Sequence, residues 1–212
     1  FKQKTAYEML RSLVGSEMCI RDRLYLKWLK KYSLECCCTI QAYCLMSNHV
    51  HLLVIPQYNY SLAKTMQKLS LRFTQHINKK YNRTGRLWEC RFYSALVDKE
   101  SYLWSVGRYI ERNPVRAKIV NKPDEYRWSS AKVNITGKEM DFIKPIWQDD
   151  TEREEYIAFL NNPDREEEIE MIKKSTISGK PIGSKEFLIH LVETLGVNIN
   201  TRPKGRPRKR KN

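Results

Sequence analysis

The chain has 212 residues and a formal net charge of +15, from 39 lysines and arginines against 24 aspartates and glutamates. This length suits one core-bearing domain with appendages, and the absence of an apolar run of about 18 residues argues against a membrane protein. The charge favours a polyanionic partner, because lysine and arginine displace counterions from phosphates, although it also fits a basic protein without one. Six cysteines without a CxxC spacing predict reduced core residues of a cytoplasmic protein.

Residues 1–23 are expected to be foreign to the native protein. The stretch KQKTAYEMLRSLVGSEMCIRDR resembles one open frame of a translated sequencing-library adapter, with EMCIRD corresponding to its tagmentation end. The alternative is a genuine amphipathic helix, since apolar residues recur at helical spacing from Met9 to Val14. Segments of vector or adapter origin are excluded from fold prediction, so the native sequence is taken to begin before Leu24, with its true start lost.

A helix end and a β-hairpin are predicted next. Residues Leu24–Tyr32 place apolar side chains on one side and lysines on the other, which is typical of an amphipathic helix. Residues Cys36–Met46 are rich in β-branched, aromatic and cysteine side chains, and Ser47 with Asn48 suits a turn. The short apolar run His49–Ile55 then completes a hairpin.

Two helices and one further strand are predicted after the hairpin. Residues Ser61–Tyr81 carry apolar side chains at helical spacing, Leu87–Val97 has the composition of a strand, and Lys99–Glu111 is again helical. The order helix, hairpin, helix, strand, helix predicts an α+β fold with helices packed on an antiparallel sheet.

The last third of the chain changes composition twice. Residues 148–170 hold ten acidic and two basic side chains, which predicts solvated helix and linker, and Lys185–Leu195 predicts a short amphipathic helix. Residues 201–212 contain seven basic residues, two prolines and no acid, so this tail is expected to be disordered until it meets phosphate. The predicted units are therefore residues 24–147, the acidic linker and helical extension 148–200, and the tail 201–212.

His49 and His51 stand two residues apart on the second hairpin strand. Because side chains alternate along a strand, both imidazoles should lie on one face and form half of a divalent-metal site. Such a pair is frequently structural. The apolar Leu52–Val54 beside it favours a buried strand, where unpaired imidazoles need partners, and this favours the metal site.

Tyr109 and Asn113 stand four residues apart at the end of the second predicted helix, which places the phenol and the amide on one face. An amide oxygen can serve as a third ligand for a hard cation, and a neighbouring tyrosine is a candidate nucleophile. Pro114 should place Asn113 in an irregular last turn. The alternative for Tyr109, one of twelve tyrosines, is an ordinary half-buried aromatic residue.

Four segments together resemble the successive signatures of the REP-associated tyrosine transposases, a branch of the IS200-like, single-tyrosine HUH transposases. They are YCLMSNHVHLLVIP, GRLWECRFYSALVD, RYIERNPVRAKIV and YRWSSA, in that order between Tyr43 and Ala131, and GKPIGSKEF with KGRPRK resembles the family's C-terminal extension. The resemblance implies a ferredoxin-like antiparallel sheet flanked by helices, with residues 24–147 as the catalytic domain. The first strand of that sheet would precede Leu24 and is expected to be missing.

The resemblance also implies a reaction. His49, His51 and Asn113 would hold Mg²⁺ or Mn²⁺, and Tyr109 would attack a phosphate of single-stranded or hairpin DNA to give a 5′-phosphotyrosine and a free 3′-hydroxyl. The enzyme would act as a monomer or homodimer. One alternative is an HUH replication initiator or relaxase, which tends to carry a bulky apolar residue between the histidines and sometimes two tyrosines. Another is a non-catalytic DNA-binding protein of the same fold.

Basic and aromatic residues in three places are predicted to contact DNA, by stacking on bases or by pairing with phosphates. The predicted contacts are Arg86, Trp88, Arg91, Phe92, Arg108, Arg112, Arg116, Lys204, Arg206 and Arg208. Alternatives are a core position for Trp88 or Phe92 and a solvated helix surface for the three central arginines. The tail resembles a minor-groove AT-hook, although nonspecific phosphate binding fits it better.

Overall fold

The computed structural model describes residues 16–138 and 140–196, so the predicted tail contacts Lys204, Arg206 and Arg208 lie outside the described residues. Within the described ranges, two strands form one antiparallel hairpin surrounded by helices, which confirms the predicted α+β fold class. None of the helices in these ranges is both long and apolar enough to cross a membrane.

The elements follow in chain order. They are α1 (Ser16–Glu35), β1 (Cys38–Leu45), β2 (Val50–Pro56), α2 (Ser61–Lys80), α3 (Lys99–Glu111), α4 (Asn113–Arg116), a single 3₁₀ turn (Pro123–Glu125), α5 (Ala131–Thr136), α6 (Asp150–Asn161), α7 (Glu166–Ser178) and α8 (Lys185–Leu195).

Two apolar clusters lie on opposite sides of β1. On one side α1 and α2 pack Leu29 and Phe73 against the strand, and on the other α3 and α6 pack Ile110 and Leu160 against Cys44. Neighbouring side chains of a strand point to opposite faces, so this one buried strand contributes to both clusters. Its position between them fixes where the hairpin lies relative to α3.

The outer edge of β1 is covered by later parts of the chain. The backbone N–H of Leu45 donates to the Trp128 carbonyl at 2.9 Å, and Ser130 N–H donates to the Tyr43 carbonyl at 3.0 Å. Lys144 N–H donates to the Ile40 carbonyl at 2.8 Å. These bonds satisfy backbone groups that an uncovered strand edge would leave unpaired.

The strand predicted over Leu87–Val97 is wrong. These residues form irregular chain, with a single bridge between Val97 and Ile182. Residues 89–94 are all exposed, so their side chains do not alternate between a buried and an exposed face. Strand-forming composition is a local property, but a strand forms only where a partner supplies its backbone hydrogen bonds. None of the described strands pairs with this segment.

The segment 16–23, which the sequence assigns to an adapter, forms the first two turns of α1. Arg21 and Asp22 are buried here and pair with each other, and Arg21 Nη1 donates to the Ser47 carbonyl at 3.1 Å. The foreign origin of residues 1–23 stays a prediction.

The acidic segment packs more closely than its charge indicates. Its residues form α6 and the start of α7, whose Tyr156, Leu160 and Ile169 side chains are buried. Tyr156 and Leu160 stand four residues apart and therefore share one helix face. The predicted helical structure is therefore present, but the segment is not a solvated linker, because its Tyr156 and Leu160 side chains belong to the second apolar cluster.

Candidate active site

The two histidines and the tyrosine predicted from the sequence meet where β2 begins and α3 ends. His49 lies in the hairpin turn, where its carbonyl accepts the Met46 N–H at 2.9 Å, and His51 is the second residue of β2. The ring centroids of His49 and His51 are 4.8 Å apart. Those of His51 and Tyr109 are 5.5 Å apart, with the rings edge to face.

Both imidazoles are arranged to offer a lone pair. His49 Nδ1 lies 2.6 Å from Asn48 Oδ1; because an amide oxygen only accepts, Nδ1 carries the proton and Nε2 is left as an acceptor. His51 Nε2 is buried and has no hydrogen-bond partner among the described residues. Burial lowers the pKa of His49 and lowers that of His51 to about 3, so both rings are neutral near pH 7.

Asn113 lies where the sequence predicted, in an irregular turn. Helix α3 ends at Glu111, Arg112 leaves helical geometry with ψ near 1°, and the single turn α4 carries Pro114. Asn113 Nδ2 donates to the Tyr109 carbonyl at 2.9 Å and to the Ile110 carbonyl at 3.2 Å, which satisfies backbone acceptors at the helix end. Its amide oxygen is the atom that could bind a cation.

A metal site made of three His, Cys, Asp or Glu side chains is not formed anywhere in residues 16–138 and 140–196. The imidazoles of His49 and His51 are two candidate ligands beside Tyr109. A third protein ligand would have to be of another type, such as the Asn113 amide.

Arg116 covers the candidate nucleophile. Its guanidinium carbon lies 4.6 Å from the centre of the Tyr109 ring, and Nη2 donates to the Tyr109 carbonyl. Burial raises the pKa of Tyr109, the charge of Arg116 partly offsets that rise, and Glu170 adds to it. The phenol is therefore protonated at neutral pH, and the charge of Arg116 favours its phenolate.

Arg108 does not occupy the surface position that a DNA contact needs. Only 4% of this residue is exposed, its guanidinium pairs with Glu168 of α7, and its Cζ lies 4.1 Å from the centre of the Phe159 ring. This corrects the prediction of a phosphate contact at Arg108, because a guanidinium enclosed by an acid and an aromatic ring cannot also reach a backbone outside the fold.

Arg112 and Arg116 share a single carboxylate. Asp164, in the connection between α6 and α7, places Oδ1 3.2 Å from Arg112 Nε and 3.3 Å from Arg116 Nη1. Arg112 also donates to the Leu160 carbonyl at 2.9 Å. Both arginines remain partly exposed. Local sequence patterns do not reveal these pairs, because Asp164 lies 52 residues beyond Arg112 and 48 beyond Arg116.

A buried carboxylate that the sequence analysis did not identify joins α3 to the hairpin. Glu111, 0% exposed, accepts hydrogen bonds from Ser130 Oγ at 2.5 Å, Asn134 Nδ2 at 2.6 Å and Tyr156 Oη at 2.8 Å. Ser130 Oγ also accepts the Tyr43 N–H of β1 at 2.9 Å. The helix that carries Tyr109 is thus tied both to the hairpin that carries His51 and to α6.

The remaining predicted DNA contacts divide into two groups. Trp88 packs against Phe73 at a centroid distance of 5.7 Å and donates from Nε1 to the Ser70 carbonyl at 3.3 Å, so it holds its loop on the core. Arg86, Arg91 and Phe92 are exposed on the same loop. Those three can be reached by a ligand.

The buried neutral state of His51 leads to a pH prediction. In metal-free buffer, the free energy of unfolding should fall as pH is lowered from about 6.5 towards 3, by up to about 1.4 kcal/mol per pH unit from this residue. The reason is that the folded pKa, about 3, lies below that of the unfolded chain, which therefore takes up the extra proton. Urea unfolding at pH 7, 6 and 5 gives the free energy of unfolding at each pH. This free energy should change less with pH in His51→Gln than in the wild type, and an equal change in both proteins would contradict a buried neutral His51.

Residues 12–113, just under half of the chain, match the model of the family described as IS200-like transposases. The matched range includes both histidines and Tyr109 and ends at Asn113. No curated protein and no solved structure matches the chain. The family match supports a transposase that acts on DNA.

Proposed function

We propose that this chain is a metal-dependent transposase of the IS200-like kind that cuts and rejoins single-stranded DNA at REP-type hairpin elements through Tyr109. The observation that carries the proposal is the contact between the rings of Tyr109 and His51, beside an imidazole nitrogen that is buried without a partner among the described residues. A buried polar atom left unpaired is costly unless a ligand satisfies it. The unpaired nitrogen belongs to the ring that contacts the phenol proposed to react.

The residues fit a divalent cation, Mg²⁺ or Mn²⁺. His49 and His51 would bind it through Nε2, and Asn113 would add its amide oxygen. The hydrogen bond between Asn48 and His49 Nδ1 is the type of outer contact that fixes the tautomer and direction of a ligating histidine. When bound, the cation would withdraw charge from a phosphate oxygen and so lower the barrier to attack.

In the proposed step the phenolic oxygen of Tyr109 forms a bond to phosphorus as the bond from phosphorus to the 3′ oxygen breaks. The electron pair leaves with that 3′ oxygen, which takes a proton, while the phenolic proton passes to solvent. Arg116, stacked on the ring, favours the phenolate against the burial that raises the Tyr109 pKa. The phosphodiester bond is conserved as a 5′-phosphotyrosine, so a 3′-hydroxyl can later attack it and rejoin the strand.

The proposal is tested by trapping the covalent product. The full chain is incubated with Mn²⁺ and a library of 3′-labelled hairpin oligonucleotides with randomised loops and flanks, and the products are separated on a denaturing gel. We expect a labelled protein band that chelation abolishes, and mass spectrometry of the digested band should locate the nucleotide on the peptide containing Tyr109.

Two results would overturn the proposal. One is a band that maps to a different residue. The other is the absence of any adduct from a folded preparation that still binds the library, which is the behaviour of a non-catalytic DNA-binding protein.

A further inference from the structure

We infer that Tyr58 and Tyr60, on the loop between β2 and α2, form a second DNA contact with Lys64 of the first turn of α2, where unpaired bases of a single strand stack on the two tyrosine rings. This set of three residues is called the tyrosine platform below. The inference rests on the proposed function for its choice of ligand, and it adds a binding site apart from His51 and Tyr109.

The rings of the platform face solvent. Tyr58 and Tyr60 are 50% and 45% exposed, their centroids are 5.4 Å apart, and the angle between the ring planes is 12°. Two adjacent aromatic rings stacked nearly parallel on the surface present an apolar face that water solvates poorly. Nucleobases have a π face of similar size, and they stack on such side chains regardless of their identity.

The backbone holds the two tyrosines in place before any ligand arrives. Ser61 is fully buried; its hydroxyl accepts the Tyr58 N–H at 3.2 Å, and its own N–H donates to the Tyr58 carbonyl at 3.0 Å. Lys64 N–H donates to the Tyr60 carbonyl at 2.9 Å. Because both tyrosines are anchored to the first turn of α2, binding would require little further ordering.

The charge of the platform selects a polyanion. Lys64 Nζ lies 4.2 Å from the centre of the Tyr60 ring, and the first turn of α2 contains no acidic residue. The next lysine along the helix, Lys68, is already paired with Glu35. An ammonium group beside a stacked aromatic pair suits the alternation of phosphates and unpaired bases in a single strand, whereas the bases of a duplex are stacked on each other and present no free face.

The position of the platform defines which part of the DNA would reach it. Strand β2 leads from His51 to Pro56, and the chain then enters the loop that carries Tyr58. Since a strand advances about 3.3 Å per residue, the stretch from His51 to the end of the strand spans roughly 16 Å, and the platform lies beyond that end. The contacted bases would therefore lie several nucleotides from the scissile phosphate, in the single-stranded flank of the substrate.

The test compares substrates that differ only in the length of that flank. Binding of the full chain to labelled hairpins is measured by fluorescence anisotropy. The single-stranded flanks are about 2, 6, 10 and 14 nucleotides long, so the shortest offers one or two bases and the longest covers a typical single-strand binding site. For the double variant Tyr58→Ala, Tyr60→Ala, we expect about a tenfold or larger loss of affinity on long flanks and little change on the shortest. The double variant Tyr58→Phe, Tyr60→Phe should retain the wild-type affinity, since it keeps both rings.

Leu71→Ala provides a matched control, because Leu71 is an exposed apolar residue on α2 that is 58% exposed and lies outside the platform. At every flank length this variant should bind with the affinity of the wild type. Lys64→Gln should reduce the dependence of binding on salt by about one phosphate contact.

The inference fails if the double alanine variant binds long flanks as tightly as the wild type, or if it loses affinity equally for every flank length. It also fails if light scattering shows that the double alanine variant no longer self-associates while its DNA binding is unchanged. The tyrosine platform would then bind a second copy of the chain. Failure of the proposed function would give a different result. The wild type would then form no covalent adduct, although the double alanine variant would still lose affinity for long flanks.

Discussion

Tyr109→Phe is expected to abolish the covalent adduct while leaving folding and DNA binding at wild-type levels. The substitution removes the one oxygen that can attack phosphorus but keeps the ring that contacts His51 and Arg116. In a serine protease, loss of the covalent nucleophile lowers kcat by about 10⁶-fold. The rate of adduct formation under saturating DNA and Mn²⁺ is the quantity to measure.

Tyr102→Phe is the control for this variant. Tyr102 lies on the same helix, is half-buried, and has no proposed part in the reaction. It should form the adduct at the wild-type rate. An adduct that persists in Tyr109→Phe but disappears in Tyr102→Phe would transfer the nucleophile to the latter residue and contradict the proposed site.

Glu111→Ala is expected to lower the free energy of unfolding by about 3 kcal/mol or more. The carboxylate accepts hydrogen bonds from three fully enclosed side chains, Ser130, Asn134 and Tyr156. Its removal takes away the bond of the Tyr156 hydroxyl and leaves Ser130 and Asn134 with only their longer bonds to the Tyr43 and Gln41 carbonyls, at 3.3 and 3.4 Å, at about 1–3 kcal/mol for each unsatisfied group. The variant also opens a cavity between α3, α5 and α6. Urea unfolding at pH 7 measures the difference.

Two milder changes separate the carboxylate's hydrogen bonds from its volume. Glu111→Gln fills the same space and can still accept through its carbonyl oxygen, while Tyr156→Phe removes only the hydroxyl that donates to Oε2. Each should cost roughly 1 kcal/mol. If Glu111→Ala unfolded within about 1 kcal/mol of the wild type, the buried network would not contribute the stability assigned to it.

The parts of the fold that could be predicted are those specified by neighbouring residues. Helix α3 occupies the predicted range Lys99–Glu111. In α2 the apolar Leu69, Phe73 and Ile77 are buried four positions apart, which is part of the spacing that predicted this helix. The hairpin followed from composition and from the turn at Ser47 and Asn48. In each case the signal lies within one helix face or one strand pair.

The parts that could not be predicted depend on contacts between distant segments. Nothing local to Leu87–Val97 reveals that a partner strand is missing, and nothing local to Arg108 reveals that Glu168 will bury it. Glu111 reads as one more charged residue near a helix end, since its three partners come from other elements. Tyr109 lies beside His51, and His51 beside His49, as the sequence predicted, while the roles of these residues, the metal and the DNA substrate remain proposals.

The covered edge of β1 limits how this sheet can grow. Its backbone groups are bonded to Trp128, Ser130 and Lys144, so an incoming strand from another polypeptide finds no free partner there. Within the described ranges β2 pairs with β1 alone, which leaves the outer side of β2 as the extendable edge. Any assembly of two copies through strand pairing would therefore use the strand that carries His51.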